Sequence, residues 1–204
     1  FPGSPQKPDA IRALAAAAWR GNPPQYRLTA DFLRRLSKLE EKPAEKNRLS
    51  LQVADCHFLA GDYDSAAALY LEVHSSAKSS LMSDKALSQA INSFLAIGDI
   101  EKSIDLLDEF SNVEDSDELL WKPEWNLLMH LREHNHLKIA SERTLLILNN
   151  KEKKLPRDLT VRLLWMDASL ALQMNKPEEA LTKCERVIDF LTEAEGFSVD
   201  LDNK

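Results

Sequence analysis

Three histidines gather around one glutamate between residues 130 and 136: His130, Glu133, His134 and His136. Two imidazoles at i and i+4 on a helix can hold a divalent metal. The order here is His-Leu-Arg-Glu-His, however, not His-Glu-x-x-His, and a turn follows with no further ligand in view. Solvent-exposed histidines are the simpler account. A Ser-x-x-Lys spacing occurs at Ser75, Ser76, Ala77 and Lys78, yet the companion motifs that such a serine nucleophile needs are missing. The five glycines stand singly, so no glycine-rich loop is present to cradle phosphate. No catalytic residue, metal ligand or cofactor site is expected.

The elements that must carry these residues are helical. At 204 residues, with 44% apolar and 29% charged side chains, the chain is long enough for one extended domain with a substantial core. Of nine prolines, none lies between Pro43 and Pro123, which leaves that stretch free to be helical. No strict alternation marks a half-buried strand. The net charge of −7 argues against a sequence-independent nucleic-acid surface, which must neutralise phosphates. No apolar run reaches the roughly 20 residues of a membrane span. The opening Phe1-Pro2-Gly3-Ser4-Pro5 reads as a junction, so residues 1–7 are taken as linker.

A repeat organises the rest. Ala66, Ser103, Ala140 and Ala180 are spaced 37, 37 and 40 residues apart, and each follows a helix-breaking turn: Gly61-Asp62-Tyr63, Gly98-Asp99-Ile100, Asn135-His136-Leu137 and Asn175-Lys176-Pro177. A turn followed by a small residue at a fixed period marks stacked helix pairs, where two helices cross too closely for a larger side chain. The pairs are expected at Pro8–Arg20 with Leu28 to about Glu41, Asn47–Ala60 with the helix after Asp62, Ser83–Ile97 with Ile100–Phe110, Trp121–His134 with Leu137–Leu148, and Arg157–Met174 with Glu178 to about Ala194. Asp62 or Asp64 is positioned to cap the second helix of its pair. Glu114 to Glu118 reads as an acidic linker or cap, and Asn149 to Pro156 as a polar loop. Of Trp121 and Trp125, which flank Pro123, at least one is expected to pack between repeats. Cys56 and Cys184 lie about three repeats apart, too far for the roughly 7 Å Cα separation of a disulfide. Two free, packed thiols are expected, which fits a reducing compartment, cytoplasm or nucleus.

The unit Ala54-x2-His57-x3-Gly61-Asp62-Tyr63-x2-Ala66-x3-Tyr70 resembles the tetratricopeptide repeat (TPR), with Phe94, Gly98, Ser103 and Leu107, and Ala168, Ala171, Asn175, Pro177, Ala180 and Cys184, in corresponding places. The unit from Trp121 matches only through Leu137 and Ala140. The periods exceed the usual ~34 residues, so related helix-pair solenoids would leave a similar trace. The resemblance implies an all-α fold, a right-handed solenoid of about five stacked antiparallel hairpins over residues 8–194, with 195–204 as an acidic tail.

It also implies which residues line a concave groove. Thirteen residues before each turn residue stand Arg48, Lys85, Lys122 and Arg162; ten before stand Leu51, Ser88, Trp125 and Trp165. Six before come Asp55, Asn92, Met129 and Ser169, and three before come Phe58, Leu95, Arg132 and Leu172. A cation in the first turn of a helix opposes the macrodipole and costs a few tenths of a kcal/mol, up to about 1. Four such placements in an acidic chain suggest a basic ladder beside an aromatic strip; frequent surface Lys and Arg are the plainer explanation. The partner-binding candidates are Arg48, Lys85, Asn92, Lys122, Trp125, Arg132, Arg162 and Trp165. Members of the family that clamp a chaperone-tail carboxylate need Lys and Asn where this chain has Leu51 and Asp55, so that ligand is disfavoured.

The expected function is a non-catalytic scaffold or adaptor holding a protein or peptide, acidic with apolar anchors. An accessory domain of a larger enzyme or secretion assembly is the alternative, and RNA binding by a helical array is disfavoured by the charge. Solenoid ends expose an apolar face unless it is covered. Phe197 and Val199 would have to cover the last pair, or another chain would, through self-association.

Overall fold

The computed structural model describes residues 7–111, 117–150 and 155–195, and among them all regular secondary structure is α-helix. The ten helices are α1 (Lys7–Trp19), α2 (Tyr26–Ser37), α3 (Pro43–Leu59), α4 (Tyr63–Ser76), α5 (Ser80–Ile97), α6 (Ile100–Ser111), α7 (Asp117–Glu133), α8 (Leu137–Leu148), α9 (Arg157–Gln173) and α10 (Pro177–Glu195). They fall into two compact units, residues 1–127 and 128–204. Within the first, each helix from α1 to α6 packs on its neighbours in sequence; within the second, α9 packs on α8 and α10.

One turn geometry closes four hairpins. Gly61 and Gly98 take φ of 78° and 88°, and Asn135 and Asn175 take 63° and 61°. At each, the following N–H donates to the carbonyl five residues back: Asp62 to His57, Asp99 to Phe94, His136 to Leu131 and Lys176 to Ala171, at 2.8–3.0 Å. This is the backbone pairing that a left-handed residue at a helix end permits. Asparagine tolerates that conformation better than other residues with a Cβ. The register therefore encodes a left-handed residue rather than a glycine, which is why the Trp121 unit matched the glycine pattern poorly. Four residues after the next position, the small residue's N–H opens the following helix: Ala66 to Asp62, Ser103 to Asp99, Ala140 to His136 and Ala180 to Lys176. All four small residues are buried.

The cores are local. In the first unit Leu51, Ala54, Ala66, Tyr70, Val73, Ala86 and Ala90 form one cluster, and Ala30, Val53 and Cys56 another. In the second, Leu131, Leu163, Met166 and Leu170 are fully buried. Burying side chains of this size is worth roughly 1.5–3 kcal/mol each.

Several boundaries differ from expectation. Helix α2 stops at Ser37 rather than near Glu41, and α3 starts at Pro43 rather than Asn47. Proline suits the first helical position, where its missing N–H has no partner to lose. Asp117 and Glu118 belong to α7 instead of a linker, and Pro123 lies inside that helix, buried. Asp62 precedes α4, but its carboxylate caps no helical N–H; it holds Arg27 instead. Asp99 does cap α6, accepting the Lys102 N–H at 3.0 Å. Cys56 is buried as expected, whereas Cys184 is exposed. Both are free thiols. Phe1–Pro5, Glu114–Ser116, Lys151–Lys154, Phe197 and Val199 lie outside the described residues.

Candidate functional site

The basic register positions all reach solvent. In the first unit Arg48, Lys85 and Lys122 are exposed on α3, α5 and α7. Arg48 contacts Glu45 one turn back, at 2.8–2.9 Å. Such i, i+3 surface pairs contribute a few tenths of a kcal/mol, of the order of 0.3–0.5, and are easily exchanged. Three residues further along these helices the surface changes: Leu51 is buried, while Ser88 and Trp125 are half-buried. Asn92 is already engaged, donating to Gln89 at 3.0 Å and accepting from Asn126 at 2.9 Å, so its amide joins α5 to α7.

In the second unit Arg162 is exposed on α9. Trp165, one turn on, is 47% exposed, and the Arg132 guanidinium lies 5.1 Å from its ring centre. A cation over an indole face at this distance is worth about 0.5–1 kcal/mol when exposed. This pair brings together two candidates from different helices.

The histidine cluster is structural in its contacts. The His130 and His134 rings stack with centres 3.9 Å apart, and the His134 Nδ1 lies 2.9 Å from the His130 carbonyl. Burial, with His134 and His136 nearby, holds His130 below the ordinary histidine value. Among the described residues no group of three His, Cys, Asp or Glu is arranged to hold a metal. At Ser75 and Ser76 the hydroxyls are spent on the Leu71 carbonyl and on Asn47 with the Val73 carbonyl. Ser83 and His74 make a Ser–His contact at 2.8 Å, but the serine donates to the His74 carbonyl and the imidazole Nδ1 faces the Ser83 carbonyl. That wiring ties α4 to α5.

Three polar links escaped the sequence pattern because they join helices at spacings no repeat dictates. Arg27 makes a two-point contact with Asp62 at 2.6 and 2.9 Å, and this hydrogen bonding holds the Asp62 carboxyl below the usual range. Tyr70 donates to Asp55 at 2.6 Å. Lys183 reaches the buried Asp167 at 2.8 Å and Glu179 at 2.8 Å. A cavity of about 470 Å³ between α1, α2 and α3 was also missed; Arg12, Trp19, Arg48, Gln52 and Asp55 are among its lining residues.

No protein-family model and no curated protein matches the sequence. Solved structures do match in shape. The TPR-like repeats of a Podosopora anserina kinesin light chain are 12% identical, with a TM-score of 0.58, covering 92% of this chain and 97% of that one. MamA 41-end from Desulfovibrio magneticus RS-1 is 12% identical at TM-score 0.57, covering 94% and 98%. MamA AMB-1 is 15% identical at 0.53, covering 96% of each. At such identities the likeness is one of fold, and it agrees with the left-handed turns and buried small residues described above. The chain has the TPR-like helical-repeat fold.

Proposed function

We propose that this protein is a non-catalytic interaction scaffold whose first helices bind an acidic protein segment carrying apolar anchors. One observation carries the reading: the residue thirteen before each turn is a solvent-exposed cation in all four cases, Arg48, Lys85, Lys122 and Arg162, in a chain of net charge −7. Trp125 in the first unit and Trp165, with Arg132 over its ring, in the second would each receive an apolar anchor, Asn92 is a further contact of the first unit, and residues 8–194 are proposed as the interacting domain. Each exposed charge contact is worth about 0.2–1 kcal/mol, so the cations act mainly through their sum and through association rate.

The test is the triple variant Lys85→Glu, Lys122→Glu, Arg162→Glu. Helix content and melting should stay close to those of the parent, while affinity for a partner recovered by pull-down falls at least tenfold, about 1.4 kcal/mol. Binding should also weaken as salt rises. Unchanged affinity would falsify the reading.

A further inference from the structure

The cavity between α1, α2 and α3 has a composition that neither the repeat pattern nor the basic ladder explains. Its floor is apolar and closed: Ala15, Leu36 and Leu49 are buried, and the buried Thr29 hydroxyl is already spent on the Gln25 carbonyl. The alanines of α1 leave the room that larger residues would fill. Trp19 forms one wall and is held by an edge-to-face contact with Tyr26, ring centres 5.4 Å apart. The charge is on the rim, where Arg12 and Arg48 both line the opening.

Among the described residues each arginine pairs with the carboxylate three residues before it, Arg12 with Asp9 and Arg48 with Glu45, at more than half side-chain exposure for both arginines. Pairs of this kind yield readily to a better-placed anion. The one lining carboxylate, Asp55, has an oxygen taken by the Tyr70 hydroxyl at 2.6 Å. Lining charge is therefore two cations against one engaged anion. A volume near 470 Å³ lies in the range of clefts that enclose one small ligand group.

We infer that this cavity is an anchor pocket for a peptide segment in which one aromatic side chain, seated on the alanine–leucine floor beside Trp19, is flanked by carboxylates held by Arg12 and Arg48. The assignment rests on the proposed scaffold function and adds to it a defined occupant and a residue, Arg12, outside the four-cation register. The probe is a fluorescein-labelled heptapeptide, Gly-Glu-Glu-Phe-Glu-Glu-Gly, followed by anisotropy against the full 204-residue chain. Arg12→Glu with Arg48→Glu should weaken binding at least tenfold. Ala16→Phe, which fills the cavity from an exposed position, should abolish the advantage of this peptide over its Phe-to-Ala counterpart. The Lys78→Glu, Lys102→Glu variant, an equal change of charge at two exposed lysines that neither line the cavity nor belong to the four-cation register, should bind the probe nearly as the parent does. If the Arg12, Arg48 variant keeps binding while Lys85→Glu with Lys122→Glu loses it, the ladder reading stands and the pocket is overturned. Absence of binding to the parent chain at millimolar peptide also overturns the pocket; loss of binding in the Arg12, Arg48 variant alone supports it.

Discussion

The hairpins α3–α4 and α9–α10 obey the same rules and end in different environments. Each closes on a left-handed residue, Gly61 or Asn175, and each buries a small residue, Ala66 or Ala180, at the same step of its second helix. Each also ties its first helix to its second through an aspartate: Asp55 accepts from Tyr70 at 2.6 Å, and Asp167 from Lys183 at 2.8 Å. Yet α4 buries Ala66, Ala67, Tyr70 and Val73 between α3 and α5, whereas α10 leaves Leu181 and Ile188 64% and 59% exposed. The register specifies how a hairpin closes; what encloses its far side is decided by the next element to pack there.

The thiols separate the two hairpins most sharply. Cys56 is buried in α3, where burial, with Asp55 adding, pushes its thiol up to about 11, while Cys184 is exposed on α10. Reaction of the buried thiol requires local opening. Alkylation of the native protein by iodoacetamide near neutral pH should modify Cys184 about a thousandfold faster than Cys56, with both reacting once the chain is unfolded. Comparable native rates, read by mass spectrometry, would erase the contrast in enclosure.

The aspartate ties should differ next. Asp167→Ala leaves the Lys183 ammonium, only 12% exposed, with Glu179 as its remaining partner, and should cost about 3 kcal/mol, the low end for breaking a buried pair. Tyr70→Phe removes one hydrogen bond to a charged group, about 1.5 kcal/mol. Burial alone would lower Lys183, but its bonds to Asp167 and Glu179 outweigh this and raise it above the ordinary lysine value. A raised folded-state value means that this stabilisation is full below the ordinary lysine range and is lost as pH rises through the folded one. Urea melts of the two variants at neutral and strongly alkaline pH check both statements; a larger loss for Tyr70→Phe would reverse the assigned order.

A last contrast concerns the crossing residue. Ala66→Leu should overpack the α3–α4 crossing by about 2 kcal/mol. Ala77→Leu, at the partly exposed end of α4, should change stability by less than about 0.5 kcal/mol. Equal melting temperatures for the two variants would mean that the small residues do not mark the crossing.

Much of this was legible in the residues. The spacing of Ala66, Ser103, Ala140 and Ala180 located four hairpins because helix crossing distance is a local steric demand written on one position. Asn135 was legible only as a break, since the pattern asked for glycine while the backbone asked for positive φ. The burial of Cys184 was misjudged because burial depends on a neighbour that the residue's own repeat does not encode. Arg12 and Trp19 escaped notice for a related reason: the turn Gly21-Asn22-Pro23-Pro24 follows another geometry, so α1 had no register by which to align Arg12 with Arg48. The basic positions stand at a fixed count back from the turns, and all four are exposed.

The four identical turns carry a consequence for how the chain reaches this structure. Every turn bond closes a loop of five residues, and the helix packing joins neighbours in sequence, so few native contacts demand long-range loop closure. Packing between sequence neighbours favours faster folding than pairing between distant segments does. Each hairpin can nucleate by itself, and growth then proceeds outward to whichever neighbour has already formed.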